Sequence, residues 1–114
     1  MKILNSYPNP LTKKQQYDLT MSPKTQKMSD NEGCVLDVSA YAEYLDEDTD
    51  GNERTVLAIL TPEGETLATN SATFREDFFK MVDLFGPDGV TRIEVISGTS
   101  KAGRKFYTCA YAGE

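Results

Sequence analysis

Apolar and polar residues alternate from Cys34 to Leu45. Cys34, Leu36, Val38, Ala40, Ala42 and Tyr44 fall on one side, with Val35, Asp37, Ser39, Tyr41 and Glu43 on the other. A period of two is what a half-buried strand requires, so the first set predicts a core face. The acidic stretch Asp46 to Glu53 follows, and its Asp50-Gly51 step predicts a hairpin because glycine takes positive φ freely. Thr55 to Thr61 is the returning strand, and its run Val56 to Leu60 is apolar on both faces, as in a central strand or one covered by a helix. After a turn at Pro62 to Glu65, Thr66 to Thr69 forms a short third strand.

The period then changes. Phe74, Phe78, Met81, Val82 and Phe85 recur at helical spacing, Thr73 and Glu76 have the spacing of a capping box, and Gly86-Pro87 ends the helix. Such an aromatic stripe reads as core packing. Val90 to Ser97 and Arg104 to Tyr111 predict a second hairpin around Gly98 to Gly103, with Lys105, Tyr107, Cys109 and Tyr111 on one face of its last strand. The resulting β-β-β-α-β-β order describes a mainly β domain with one helix. A five-stranded OB-like barrel has that order, and a small α+β sheet is the alternative. Residues 1–32 lack periodicity and contain Pro8, Pro10 and Pro23. They predict an extended, lysine-bearing arm with at most a turn of helix near Lys13 to Leu19, ahead of an OB-like domain at 33–114.

Composition narrows the chemistry. With 114 residues the chain can bury one core. No apolar run approaches the roughly 18 residues that cross a bilayer, so no membrane association is expected. The opening MKILNSYPNPL lacks an apolar h-region and a cleavage site, which makes the cytoplasm the expected location. Histidine is absent, which removes every Ser-His and Cys-His nucleophile pair. Cys34 and Cys109 are too few for a disulfide scaffold or a zinc site and read as small buried strand residues. Asp46, Asp48, Asp50 and Gly51 imitate the start of a calcium loop, but Leu57 stands at the twelfth position, where a bidentate carboxylate belongs. Gly98 to Gly103 lacks the spacing of a phosphate loop and precedes a strand. The chain is therefore expected to have no catalytic residues, no metal and no cofactor, and not to be an enzyme.

Charge is unevenly distributed. The formal net charge is −6, yet residues 1–29 hold five lysines against Asp18 alone, and the remainder holds seven basic and seventeen acidic residues. The second hairpin is also basic: Lys101, Arg104 and Lys105 stand beside Phe106, Tyr107 and Tyr111. Cations that hold phosphates next to rings that stack on bases are what an unpaired nucleic-acid strand requires. Tyr41, opposite the predicted core face, is a further stacking candidate. The competing interpretation is that the tyrosines cover a sheet face while the cations solubilise a turn.

Ala68-Thr69-Asn70-Ser71, Phe74 to Gly86 and Ser100-Lys101-Ala102-Gly103-Arg104-Lys105-Phe106-Tyr107-Thr108-Cys109 resemble segments of small single-stranded-DNA-binding or replication-associated proteins of phages and mobile elements. The resemblance covers roughly the C-terminal half. It implies an OB-like fold, a role in genome replication or recombination, and no catalysis. Lys101, Arg104 and Lys105 would be phosphate contacts and Tyr107 a base platform. The expected partner is single-stranded nucleic acid, with DNA favoured, and a homodimer is compatible with this. The alternative is an acidic protein-interaction module, such as a phage inhibitor of a host enzyme, that meets a host or replication protein through the clusters at Asp46 to Asp50 and around Asp77 and Asp83.

Overall fold

A computed structural model describes residues 1–113. The strands are β1 (Lys2–Tyr7), β2 (Gln26–Lys27), β3 (Val35–Asp37), β4 (Ala40–Glu47), β5 (Glu53–Leu60), β6 (Thr66–Thr69), β7 (Arg92–Thr99) and β8 (Lys105–Tyr111). The helices are α1 (Lys13–Thr20) and α2 (Ala72–Phe85), with a 3-10 turn at Met28–Asn31. The fold is mainly β, as expected, but the strands form two sheets, β1-β4-β5-β6-β2 and β3-β7-β8, with no closed barrel among the described residues.

The run predicted as one strand from Cys34 to Leu45 is divided between the sheets. The Val38 amide donates to the Thr91 carbonyl at 2.9 Å and the Ser39 amide to the Leu60 carbonyl at 2.8 Å, so adjacent residues bond in opposite directions. Before this corner β3 pairs with β7, and after it β4 pairs with β5. The corner also exchanges faces. Leu36 lies in the same core as Tyr41, while Ala40, Ala42 and Tyr44 pack on the other side. Simple alternation had put Leu36 with Ala40 and turned Tyr41 outward; a bend between sheets breaks that register.

The larger sheet is covered on both faces. On one, Tyr41, Leu57, Ile59 and Leu67 meet Phe74 and Phe78 of α2 and Ile93 and Val95 of β7. On the other, Leu11 and Leu19 settle onto Ala40, Ala42, Ala58 and Leu60. The alanines keep this floor shallow, so a helix with little apolar surface can approach closely.

Residues 1–32 are thus not the extended arm that their prolines suggested. β1 pairs antiparallel with β4, matching Ile3 with Tyr44 and Tyr7 with Tyr41. The three prolines fall between elements, Pro8 and Pro10 before α1 and Pro23 before β2. α1 begins with a true capping box: the Thr12 side chain accepts from the Gln15 amide at 3.1 Å, and the Gln15 side chain accepts from the Thr12 amide at 2.9 Å. Thr66 Oγ1 donates to the Asp18 carbonyl at 2.8 Å and ties α1 to β6. The expected Thr73 and Glu76 box is not used. α2 starts earlier, where Ser71 Oγ accepts the Phe74 amide at 3.2 Å, and it ends at Gly86 with φ 91°.

Truncating either core should be costly. Phe78→Ala is expected to remove about 3–5 kcal/mol of unfolding free energy and Leu19→Ala about 2–5 kcal/mol, measured by urea denaturation. A Leu19→Ala change within about 0.5 kcal/mol of wild type would mean that the N-terminal segment does not dock.

Candidate nucleic-acid interface

The basic hairpin is built by local bonding. The Ser100 amide donates to the Arg104 carbonyl at 2.8 Å, the Gly103 amide to the Ser100 carbonyl at 2.9 Å, and the Arg104 amide to Ser100 Oγ at 3.2 Å. Gly103 closes the turn at φ 81°, where a side chain would be strained. The amides of Ser100, Gly103 and Arg104 are therefore occupied within the turn. Below the turn, Gly98 lies under the Phe106 ring; an added Cβ would come within 2.5 Å of it, so the ring covers the glycine across the ladder.

The six residues singled out from sequence separate into four groups. Lys101 and Arg104 are exposed at the tip and take part in none of the ion pairs among the described residues. Lys105 and Tyr107 share a face just below, with the ammonium 5.2 Å from the ring centroid. Lys105 is also paired with Glu32 at 2.9 Å. That bond and one from Ser97 hold the Glu32 carboxyl below its ordinary range, and Glu32 in turn holds the Lys105 ammonium above its own. Tyr111 lies four residues further along β8, about 13 Å at strand spacing, and its ring packs 4.9 Å from Phe85. It is not part of the tip cluster.

Tyr41 is a correction. It is 2% exposed, edge-on to Phe78 at 5.0 Å and Phe79 at 6.0 Å, and stacked with Tyr7 at 6.1 Å. A ring so enclosed is core, and no base can reach it. Cys34 is a second correction: it is exposed, while Cys109 is buried as expected.

The acidic residues hold local bonds. Asp48 Oδ1 accepts the amides of Asp50 and Asn52, each at 2.9 Å, which closes the β4–β5 turn and keeps the Asp48 carboxyl below its usual range. Asp46 pairs with Arg54 at 3.5 Å, and Asp77 accepts from Thr108 Oγ1. Among the described residues, no group of three or more histidine, cysteine, aspartate or glutamate side chains is placed to hold a metal ion. No helix among them is long and apolar enough to cross a membrane.

A second feature was not singled out from sequence. A cleft of about 570 Å3 opens between residues 20–29 and the face of β4, β5 and β6 that carries Tyr44, Val56 and Ala68. Lys27, Arg54 and Asn70 line it. The lysine-rich composition of residues 1–29 was its only trace in the sequence, because the pairing of β2 with β6 that brings Lys27 beside Ala68 joins residues 41 positions apart. The two features adjoin. Thr69 and Asn70 line the cleft, and the next residue, Ser71, donates from Oγ to the Tyr107 carbonyl at 3.1 Å. In comparisons with protein-family models, curated proteins and solved structures, none matches this chain.

The burial differences are measurable. Burial, reinforced by Asp77, pushes the Cys109 thiol up to about 12, so a disulfide reagent at neutral pH is expected to modify Cys34 rapidly and Cys109 only on unfolding. Two rapid equivalents would contradict this packing. Burial, with smaller contributions from Tyr7 and Asp88, pushes Tyr41 up to about 12 as well. The fold favours the neutral phenol, so this contribution to stability is complete below the unfolded value of about 10 and is lost as pH rises towards 12. Phenolate absorbance should show a late-titrating tyrosine that disappears in Tyr41→Phe.

Proposed function

We propose that the protein is a non-enzymatic binder of single-stranded nucleic acid, with DNA as the favoured form, and that the β7–β8 hairpin supplies its phosphate contacts. The observation that carries this reading is the placement of Lys101 and Arg104: outside any ion pair among the described residues, at the tip of a hairpin whose next face sets an ammonium over the Tyr107 ring. Phosphates bind the outer cations while a base stacks beside Lys105. In a chain of net charge −6, such a local concentration of positive charge decides where a polyanion lands.

The pairing order supports an OB-like reading of the part from β3 to β8. One bent run pairs with β5 on one side and β7 on the other, β6 follows β5, and β8 follows β7. An OB-like barrel left open between β6 and β8 would have this pairing order, with α2 between its third and fourth strands. OB folds engage oligonucleotides with the loop joining strands four and five and with the face of strands two and three. These correspond here to the Lys101 to Arg104 turn and to the cleft face of β5 and β6.

Fluorescence anisotropy with labelled oligo-dT tests the proposal. The double variant Lys101→Ala, Arg104→Ala should weaken binding and reduce the slope of log affinity against log salt by about 1.4, at about 0.7 per phosphate contact. Glu32→Gln should act in the opposite direction, because it releases Lys105 from its carboxylate and lets it meet a phosphate. Affinity and salt slope that stay at wild-type values in both variants would remove the hairpin from the site.

A further inference from the structure

The chemistry of the cleft is specific enough to identify an occupant. Its floor is apolar: Tyr44 and Val56, buried in the sheet with 5% and 6% exposure, and the half-buried Ala68. Above the floor stand the Asn70 amide, which can donate and accept, and the hydroxyls of Thr20, Ser22 and Thr25; those of Thr20 and Thr25 already donate to the Gln16 and Ser22 carbonyls, at 2.6 and 2.8 Å, and are left to accept. Two cations, Lys27 and Arg54, face one carboxylate, Asp46, so the lining favours an anion. A volume of about 570 Å3 lies within the roughly 300–1,000 Å3 that small-molecule sites occupy. A flat heterocycle with hydrogen-bonding edges and an attached phosphate meets all these conditions.

The wall formed by residues 20–29 is fixed in place. Leu19 on one side of it is 1% exposed and Met28 within it is fully buried. β2 runs parallel to β6 with Lys27 opposite Ala68, the Gln26 side chain donates to Glu65 at 3.1 Å, and the Asn31 side chain donates to the Lys27 carbonyl at 3.0 Å. This wall presents the exposed Lys27 ammonium at the mouth of the cleft, outside every ion pair among the described residues.

We infer that this cleft holds one nucleotide of a bound strand, with its base over the apolar floor at Ala68 and its phosphate between Lys27 and Arg54. The Thr20–Ser29 segment, which lies outside the five-strand core, is then a working half of the site. This rests on the single-strand reading above and extends it to a part of the chain that the hairpin does not touch. Ser71 connects the two, since its neighbours Thr69 and Asn70 line the cleft while its hydroxyl holds β8 at Tyr107.

The test uses the full chain labelled with 15N and titrated separately with thymidine monophosphate and with oligo-dT. Amide shifts are expected at residues 20–29 and at Arg54 and Asn70 with either ligand. Lys27→Ala combined with Arg54→Ala, both at exposed positions, should weaken oligo-dT binding by roughly tenfold while leaving the melting temperature near wild type. Full oligo-dT affinity in that variant, together with no mononucleotide shifts in the cleft, would overturn the inference and leave the hairpin site standing. Cleft shifts with the mononucleotide in a protein that does not bind oligo-dT would instead sink the strand reading and keep the pocket as a nucleotide site. An absence of shifts with both ligands would overturn the two together.

Discussion

The architecture depends on one corner. Two consecutive amides, at Val38 and Ser39, donate to carbonyls in different sheets, and through them a single run of backbone becomes an edge of one sheet and an inner strand of the other. Everything that follows is placed by this division. β7 and β8 stack against α2 because β3 directs them there, and the larger sheet is left with a second face that some other segment must cover. Each sheet thus receives one of these two donors, and the chain passes from one ladder to the other within a single residue step.

The second face accounts for the N-terminal third. An uncovered sheet face with Ala40, Ala42, Ala58 and Leu60 would expose a continuous apolar surface, and α1 and the residue leading into it remove it with only two large side chains, Leu19 and Leu11. This is why so polar a segment is ordered. Its order comes from caps, from the β1–β4 ladder and from hydroxyl bonds such as that of Thr66 to Asp18, more than from apolar bulk of its own.

The same facts mark what could be read from sequence. Alternation and turn residues located β5, β6, α2, β7 and β8 to within a few positions, because each carries a strong periodic or glycine signal. The N-terminal elements carry weak ones: prolines at 8, 10 and 23 pointed to an extended arm, and two apolar anchors, Leu11 and Leu19, do not make a stripe. The division of the first strand was invisible, since a corner between sheets leaves no mark on an alternating pattern, and the burial of Tyr41 was lost with it. The tip of the hairpin was legible because Lys101 and Arg104 sit in a short turn whose outward direction is forced. The neutralisation of Lys105 by Glu32 was not, because it joins positions far apart in the chain.

The alanines beneath α1 carry an implication for how this chain can vary. They set the height at which the helix rides, and the segment leaving that helix forms one side of the cleft. Lengthening any of these methyl groups would raise the helix and change the width of the opening without touching a polar residue in it. The aperture is therefore tuned from below, and substitutions in the sheet floor and in the N-terminal segment are constrained to occur in matched sets.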